Sequence, residues 1–250
     1  MNAFVRASVL AIALACAGGL SAYSVQPMIY TLNPTGTGAT TRLTVSNTRD
    51  AVLNVEIEPY RVVADEDGKR TFTPAPEDFI VFPPQSSIPP DRNQVFQIRY
   101  TGPADLAAGR TYVLRVRQTN TIELARPAEP DATTSTHLGM SINFNTTAIV
   151  QPRTFQPNLV VEKDLAPGVD GALHARLRND GLGVADLGRA TWQVVTNTGR
   201  EDIQVDTVKY GDAVFLDPGA SREVTLGNKP GAVGHLEVRP AGGNRGRSPQ

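Results

Sequence analysis

Cysteine is almost missing from this chain. Its 250 residues include a single cysteine, Cys16, which lies in an apolar stretch near the N-terminus. One cysteine cannot form an internal disulfide bond, and it also excludes C-x-x-C redox and zinc motifs. The fold must therefore be stabilised by the burial of apolar side chains, for which the chain is long enough.

Histidine is nearly as scarce, and the common catalytic motifs are missing. The three histidines, His137, His174 and His235, each stand without a second metal ligand at a typical spacing. No G-x-S-x-G elbow, P-loop or H-E-x-x-H motif occurs in the sequence. The acidic stretch DEDGK at 65–69 lacks the glycine spacing and final glutamate of a calcium loop, and we predict a hairpin turn there. The residues thus argue against an enzyme, and we expect no cofactor and no metal.

The chain also has no excess of charge of one sign and no apolar run long enough to span a membrane. The formal net charge is −1, and no basic cluster precedes the C-terminal tail, so a nucleic-acid partner is not expected. Residues 1–22 combine an arginine, a short apolar run and small residues in the order of a secretory signal peptide. The run is too short to span a bilayer, and we predict cleavage after Ala22 and export to the periplasm. A lipoprotein that begins at Cys16 is the alternative, although Ala13 stands where leucine is usual.

Short alternating segments rich in valine, isoleucine, threonine and aromatic residues fill the rest of the chain. Proline, glycine, asparagine and aspartate separate them at the spacing of a β-sandwich. We therefore predict an all-β fold with two Ig-like β-sandwich domains in tandem, over 23–152 and 153–240, followed by a flexible tail at 241–250. The segment QPRTFQPNL at 151–159 is predicted to link the domains. The strands predicted for the first domain are 24–32, 40–47, 51–63, 79–82, 93–101, 111–118 and 137–150.

The last of these strands opens with HLGMSINFN and raises a question of function. Its apolar side chains alternate with small or polar ones, and it follows about twenty residues without a strand pattern. Two interpretations remain open from the residues: the apolar side chains complete their own core, or they serve the core of another protein. The alternating apolar residues are Leu138, Met140, Ile142 and Phe144.

The segment EDFIVFPPQSSIPPDRNQVFQIRY at 77–100 resembles a known family. It is similar to the pattern F-x-V-x-P-P, L-x-P-G and Q-x-I-R-V in the PapD-like periplasmic chaperones of usher-assembled pili. TTRLTVSNT at 40–48 resembles their x-x-L-x-V-x-N segment, and the stretch around Leu106 and Arg110 matches in part, although Thr111 stands where an acidic residue is usual. The resemblance covers about 24–152. The matching residues of the longer segment are Phe79, Val81, Pro83, Pro84, Ile88, Pro90, Gln97, Ile98 and Arg99.

The resemblance implies a non-enzymatic chaperone for pilin-like or fibre subunits. In the family, a subunit is an incomplete Ig-like domain, and the chaperone lends it a β-strand before delivery to an outer-membrane usher. By position, Leu138, Met140, Ile142 and Phe144 match the residues of the lent strand. Because an exposed apolar edge invites association, we expect the free protein to form a self-capped homodimer.

The chain departs from the family at the site that binds the subunit's C-terminal carboxylate. Family members carry an arginine in the first strand and a lysine in the last strand of the first domain. Here SVQPMIY has no arginine, Thr147 stands in place of the lysine, and Gln151 replaces an arginine at the boundary. Thr147, Gln151 and Arg153 are the candidate anchors, and the alternative for Arg153 is a solvated linker residue.

Two other functions remain open from the sequence. A structural or adhesive component of a surface fibre could also consist of two Ig-like domains. Such subunits usually carry an N-terminal donor extension, whereas YSVQPMIYTL enters a strand almost at once. A metal-dependent enzyme would require the three histidines to converge.

Overall fold

The structure is a computed structural model. It describes residues 23–120, 122–124, 138–168, 171–197, 199–226 and 234–241, with the backbone alone at 122–124 and 138–140. The predicted signal peptide, His137 and residues 242–250 of the predicted tail lie outside the described residues. No helix in the described part of the chain is long and apolar enough to cross a membrane.

The described residues form two β-sandwich domains, which confirms the predicted all-β class. The only helical elements among them are four 3-10 turns at Thr37–Ala39, Pro76–Asp78, Leu187–Arg189 and Val205–Thr207. One sheet of the first domain has the order β1 (Tyr23–Gln26), β3 (Thr40–Asn47), β8 (Arg92–Tyr100) and β6 (Phe79–Phe82). The facing sheet has the order β2 (Ile29–Leu32), β12 (Asn143–Val150), β9 (Arg110–Gln118), β4 (Leu53–Ala64) and β5 (Arg70–Pro74). β7 (Gln85–Ile88) also pairs with β4, and β10 (Ile122–Leu124) pairs with β11 (Leu138–Met140).

Alternation along the strands produces the core between these sheets. In β3, Leu43 and Val45 are fully buried, whereas Arg42, directly before Leu43, is exposed. In β8, Phe96 and Ile98 are fully buried and pack in the same cluster. Burial of each such side chain contributes roughly 1.5–3 kcal/mol before ordering costs are subtracted.

The first predicted strand, 24–32, is two strands in two different sheets. β1 pairs with β3 in one sheet, and β2 pairs with β12 in the other. Pro27 lies between them, and proline has no N–H group to donate to a ladder. The single strand predicted from the sequence was therefore wrong at Pro27, where the chain crosses from one sheet to the other.

The second domain has its own core of buried side chains around Trp192, Leu177 and Leu236. Pro152 lies in the irregular segment between β12 and β13 (Leu159–Pro167), and the predicted boundary there stays a prediction. One sheet has the order β13, β14 (Leu173–Asn179), β20 (Ser221–Leu226) and β18 (Val208–Lys209). The other strands form two small sheets. One consists of β15 (Ala185–Asp186) and β19 (Phe215–Leu216), and the other has the order β17 (Gly199–Ile203), β16 (Thr191–Thr196) and β21 (His235–Arg239).

The two domains contact each other through apolar and polar groups. Ile149 of the first domain packs with Val184 and Phe215 of the second in a small buried cluster. The side-chain oxygen of Gln151 accepts a hydrogen bond of 2.8 Å from the Val184 main-chain N–H. The interface therefore includes the end of β12, the strand that carries the predicted site.

The acidic stretch DEDGK forms the turn between β4 and β5, as predicted. The Gly68 N–H donates to the Asp65 carbonyl at 3.0 Å, and the Lys69 N–H donates to the Asp65 carboxylate at 2.8 Å. The tip of this hairpin reaches the second domain, where a Cβ atom added to Gly68 would lie 2.4 Å from the Tyr210 carbonyl oxygen. The stretch is thus a hairpin turn that also forms a contact between the domains.

Candidate functional site: an open strand edge

β12 has a fully paired edge and a partly paired one. It pairs antiparallel with β9 along its whole length. On the opposite edge it pairs with β2 in parallel, only over Thr147–Val150. Among the described residues, no strand covers this edge along Asn143–Thr146.

Hydrogen bonds to β2 show which main-chain groups face the open edge. The Thr147 N–H donates to the Met28 carbonyl at 2.7 Å, and the Gln151 N–H donates to the Leu32 carbonyl at 3.0 Å. Because main-chain groups alternate between the two edges of a strand, those of Asn143 and Asn145 point the same way as those of Thr147. They form a short row of donors and acceptors that can accept another strand.

The predicted strand 137–150 is interrupted in the structure. β11 pairs with β10, and β12 pairs with β9, but Ser141 and Ile142 between them have no partner strand. The reason is tertiary, since β9 ends at Gln118 and β10 begins only at Ile122. A single strand over 137–150 was therefore wrong.

Two of the four apolar side chains assigned to the lent strand, Ile142 and Phe144, lie in the described part of the chain. Ile142 and Phe144 are half-buried and pack against the core of the first domain. The Phe144 ring meets the Tyr23 ring edge-on, with 4.7 Å between their centroids. The side chains of Leu138 and Met140 lie outside the description, so the assignment of all four to a lent strand stays a prediction.

Two further apolar side chains lie where β2 begins. Met28 is 42% exposed and Ile29 is 53% exposed, beside Thr147 of β12. Sequence reasoning assigned both to an ordinary sandwich strand and missed them. Their signal was the proline before them, which marks a change of sheet and leaves β2 at an edge.

The candidate anchors occupy three different environments. Thr147 lines a cavity of about 60 Å³ between the domains, together with Arg70, Thr111 and Asp217. Gln151 contacts the second domain through Val184, and Arg153 is exposed on the linker. Of the three, only Thr147 lines the cavity.

The cavity already contains a carboxylate from the second domain. The Thr111 hydroxyl donates to Asp217, and the Arg61 guanidinium lies 3.1 Å from the other carboxylate oxygen. Arg61 is fixed by its own hydrogen bonds to the Val62 and Thr111 carbonyls, at 2.6 Å each. Sequence reasoning missed Arg61, Arg70 and Asp217, because residues far apart in the chain meet only after the domains pack.

Another concave region among the described residues lies on the first domain, and its charged side chains contact one another. An open groove of about 440 Å³ beside Pro59 is lined by Glu56 and Glu58, but Arg117 contacts both glutamates. Within the described ranges, no three histidine, cysteine, aspartate or glutamate side chains are placed to hold a metal ion.

Comparison with known proteins rests on structure. No protein-family model matches the sequence, and no curated protein shows significant similarity to it. A structural search finds the class 5 fimbriae chaperone CfaA, with a TM-score of 0.53 and 12% identity, over 88% of this chain and 98% of that one. The SafB chaperone of Salmonella enterica, in complex with the SafA pilin, has a TM-score of 0.52 and 17% identity, over 90% of this chain and 91% of that one. The E. coli chaperone DraB has a TM-score of 0.51 and 18% identity, over 82% and 84%.

This chain has the fold of the fimbrial chaperones. The match spans both domains, since it covers most of this chain and nearly all of CfaA. At such low identity it establishes the two-domain β-sandwich architecture, and the function must be argued from the open edge of β12.

Proposed function

We propose that this protein is a periplasmic chaperone for incomplete Ig-like pilin or fibre subunits. It would lend the strand segment 138–146 to a subunit and deliver the complex to an outer-membrane usher. The observation that carries the proposal is the uncovered edge of β12 along Asn143–Thr146, in a chain with the fold of fimbrial chaperones. The predicted signal peptide supports export to the periplasm.

The physical basis is the addition of a strand to an unfinished sheet. The subunit would complete the row of main-chain hydrogen bonds at Asn143 and Asn145, and alternate side chains would enter its groove. Ile142 and Phe144 are only half-buried in the free chain, so each keeps apolar surface that a partner can cover. We propose Leu138 and Met140 as the other two side chains of the lent strand.

The cleft between the domains is the proposed place for the end of the subunit. β2 runs parallel to β12, and a subunit strand that runs the same way would end beside Thr147. We propose that Thr147 donates to the subunit's C-terminal carboxylate, with Gln151 and Arg153 nearby on the same chain segment. Arg70, which lines the cavity with Thr147, supplies a positive charge there.

The test is co-expression with a pilin-like subunit whose Ig-like domain is incomplete. We expect a soluble one-to-one complex, and Ile142→Asp should abolish it because a charge would enter an apolar groove. Val63→Asp is the matched control, since Val63 is an exposed apolar residue on β4, an inner strand of the same sheet away from the open edge of β12. A subunit that stays soluble without this chain would contradict the proposal, as would a complex that tolerates Ile142→Asp.

A further inference from the structure

The main chain of Ile142 is held by two side chains at the gap between β11 and β12. Its N–H donates to the Gln118 side-chain oxygen at 3.3 Å, and its carbonyl accepts from the Tyr23 hydroxyl at 2.7 Å. The Gln118 main-chain N–H donates in turn to the Asn143 side-chain oxygen at 3.1 Å. The two side chains therefore replace the strand partner that Ile142 lacks.

Both side chains are rigidly placed. Tyr23 is 2% exposed and Gln118 is 3% exposed, so neither can leave its position without opening the core. The Tyr23 ring packs on Phe144, and its hydroxyl also lies 3.3 Å from the Val116 carbonyl. Burial raises the pKa of the Tyr23 hydroxyl, which therefore remains a donor at physiological pH. Gln118 is anchored by a second hydrogen bond of 2.6 Å, from its amide to the Asn120 carbonyl.

These contacts matter because of the edge they leave open. Along Asn143–Thr146, alternate main-chain groups bond to β9, and the others face the uncovered edge. Ile142 has no partner strand. Without other partners, its main-chain N–H and carbonyl would bond to water, and the segment would lose its extended conformation. The side chains of Tyr23 and Gln118 bond to the Ile142 carbonyl and N–H from the core side. The main-chain groups that face the uncovered edge therefore keep the alignment of an extended strand.

We propose that Tyr23 and Gln118 are positioning residues, which hold Ile142 so that residues 138–146 present one continuous edge to a subunit. This inference rests on the proposed function. A segment already held in the bound shape loses less conformational entropy when the subunit binds, and its affinity is higher for that reason.

The first experiment uses the free full-length chain and needs no subunit. Hydrogen exchange of the amides at 141–144 is measured in the wild type, Tyr23→Phe and Gln118→Leu. We expect exchange to be roughly three- to tenfold faster in each variant, as for the loss of one hydrogen bond. Tyr100→Phe is the control, because Tyr100 is equally buried and its hydroxyl donates to another carbonyl, that of Pro103. Unchanged exchange at 141–144 in both variants would overturn the proposal.

The second experiment measures binding of the pilin-like subunit that is used in the co-expression test. Tyr23→Phe is expected to weaken the complex several-fold, while Tyr100→Phe binds as the wild type does. Equal binding by Tyr23→Phe and the wild type would overturn the positioning role and leave the chaperone proposal intact. If the wild type fails to bind, the chaperone proposal fails, and the exchange rates still decide whether the two residues hold Ile142.

Discussion

The hydroxyl of Thr111 in the first domain donates a 2.5 Å hydrogen bond to the carboxylate of Asp217 in the second. Arg61, on the strand next to that of Thr111, contacts the same carboxylate at 3.1 Å. Both side chains of the ion pair are mostly shielded from water, with 26% and 19% exposed. Because hydrogen bonds to charged groups are stronger than neutral ones, this contact should couple the unfolding of the two domains.

Removal of the carboxylate should therefore weaken the whole molecule. We expect Asp217→Ala to lower the free energy of unfolding in urea by about 1–3 kcal/mol, because Arg61 and Thr111 lose a charged partner. Thr111→Val should cost about 1 kcal/mol, and the double variant should cost less than the sum. Asp212→Ala is the control, since Asp212 lines the same cavity but is exposed. If both aspartate variants unfold alike, the contact does not stabilise the protein.

Each domain contains a buried asparagine whose side chain bonds to nearby main-chain carbonyls. Replacing either asparagine should strongly lower the free energy of unfolding. The Asn47 amide donates to the carbonyls of Ala51, Ile88 and Pro89 at 2.8–3.1 Å. Asn47→Ala would leave these carbonyls without that donor, so we expect a loss of about 2–4 kcal/mol in the free energy of unfolding.

Asn179 has the same role in the second domain. Its amide donates to the carbonyls of Gly183 and Leu216 at 2.8 and 3.0 Å, and Asn179→Ala should cost a similar amount. Urea denaturation followed by circular dichroism measures both losses. Asn93→Ala, at an exposed position of β8, serves as the control and should change the midpoint little. A loss at Asn47 or Asn179 no larger than at Asn93 would contradict the assigned role.

Strand alternation made much of this fold predictable. The alternation of Leu43 with Val45 and of Phe96 with Ile98 predicts two strands, β3 and β8, which pair with each other in one sheet of the first domain. The gap at Ser141 and Ile142 was not predictable, because it depends on where the partner strand β9 ends. The meeting of Arg61 with Asp217 was equally hidden, since it requires the packing of two domains.

Gly68 tests how closely the domains must approach. A Cβ atom there would lie 2.4 Å from the Tyr210 carbonyl oxygen and 2.9 Å from the Arg222 guanidinium. Gly68→Ala should therefore push the hairpin off the second domain and lower the melting temperature by several degrees. Gly36→Ala is a matched control, because Gly36 has a similar positive φ of 72° but no atom within 4 Å of an added Cβ. Both variants carry the same backbone strain, so equal melting temperatures would show that the contact is unimportant.

The second domain should lose stability in acid through Asp164. Partial burial alone would raise the pKa of this carboxyl, but hydrogen bonds from the Leu236 N–H and the His235 ring outweigh it and hold the pKa below its usual range. The charged form thus stabilises the folded state above the ordinary pKa of about 4. That stability is lost as the pH falls through the lower, folded value.

Melting temperatures of the wild type and Asp164→Asn, compared between pH 7 and pH 3, measure this effect. We expect the variant to be less stable at pH 7, and the difference should shrink at pH 3. Asp206→Asn, at an exposed position of the same domain, should follow the wild type at every pH. A constant difference between the wild type and Asp164→Asn across this range would contradict the assignment.

The parallel pairing of β2 with the second half of β12 limits the length of any added strand. The free edge ends where the Met28 carbonyl accepts from Thr147, so an incoming chain has a fixed stop there. The segment proposed to be lent, residues 138–146, would be at most about 30 Å long, at 3.3 Å per residue. A guest that fills it in the same direction would end against the start of β2. The added strand and β2 would then lie end to end along the same edge of β12. The start of β2 would thus set the maximum length of the added strand.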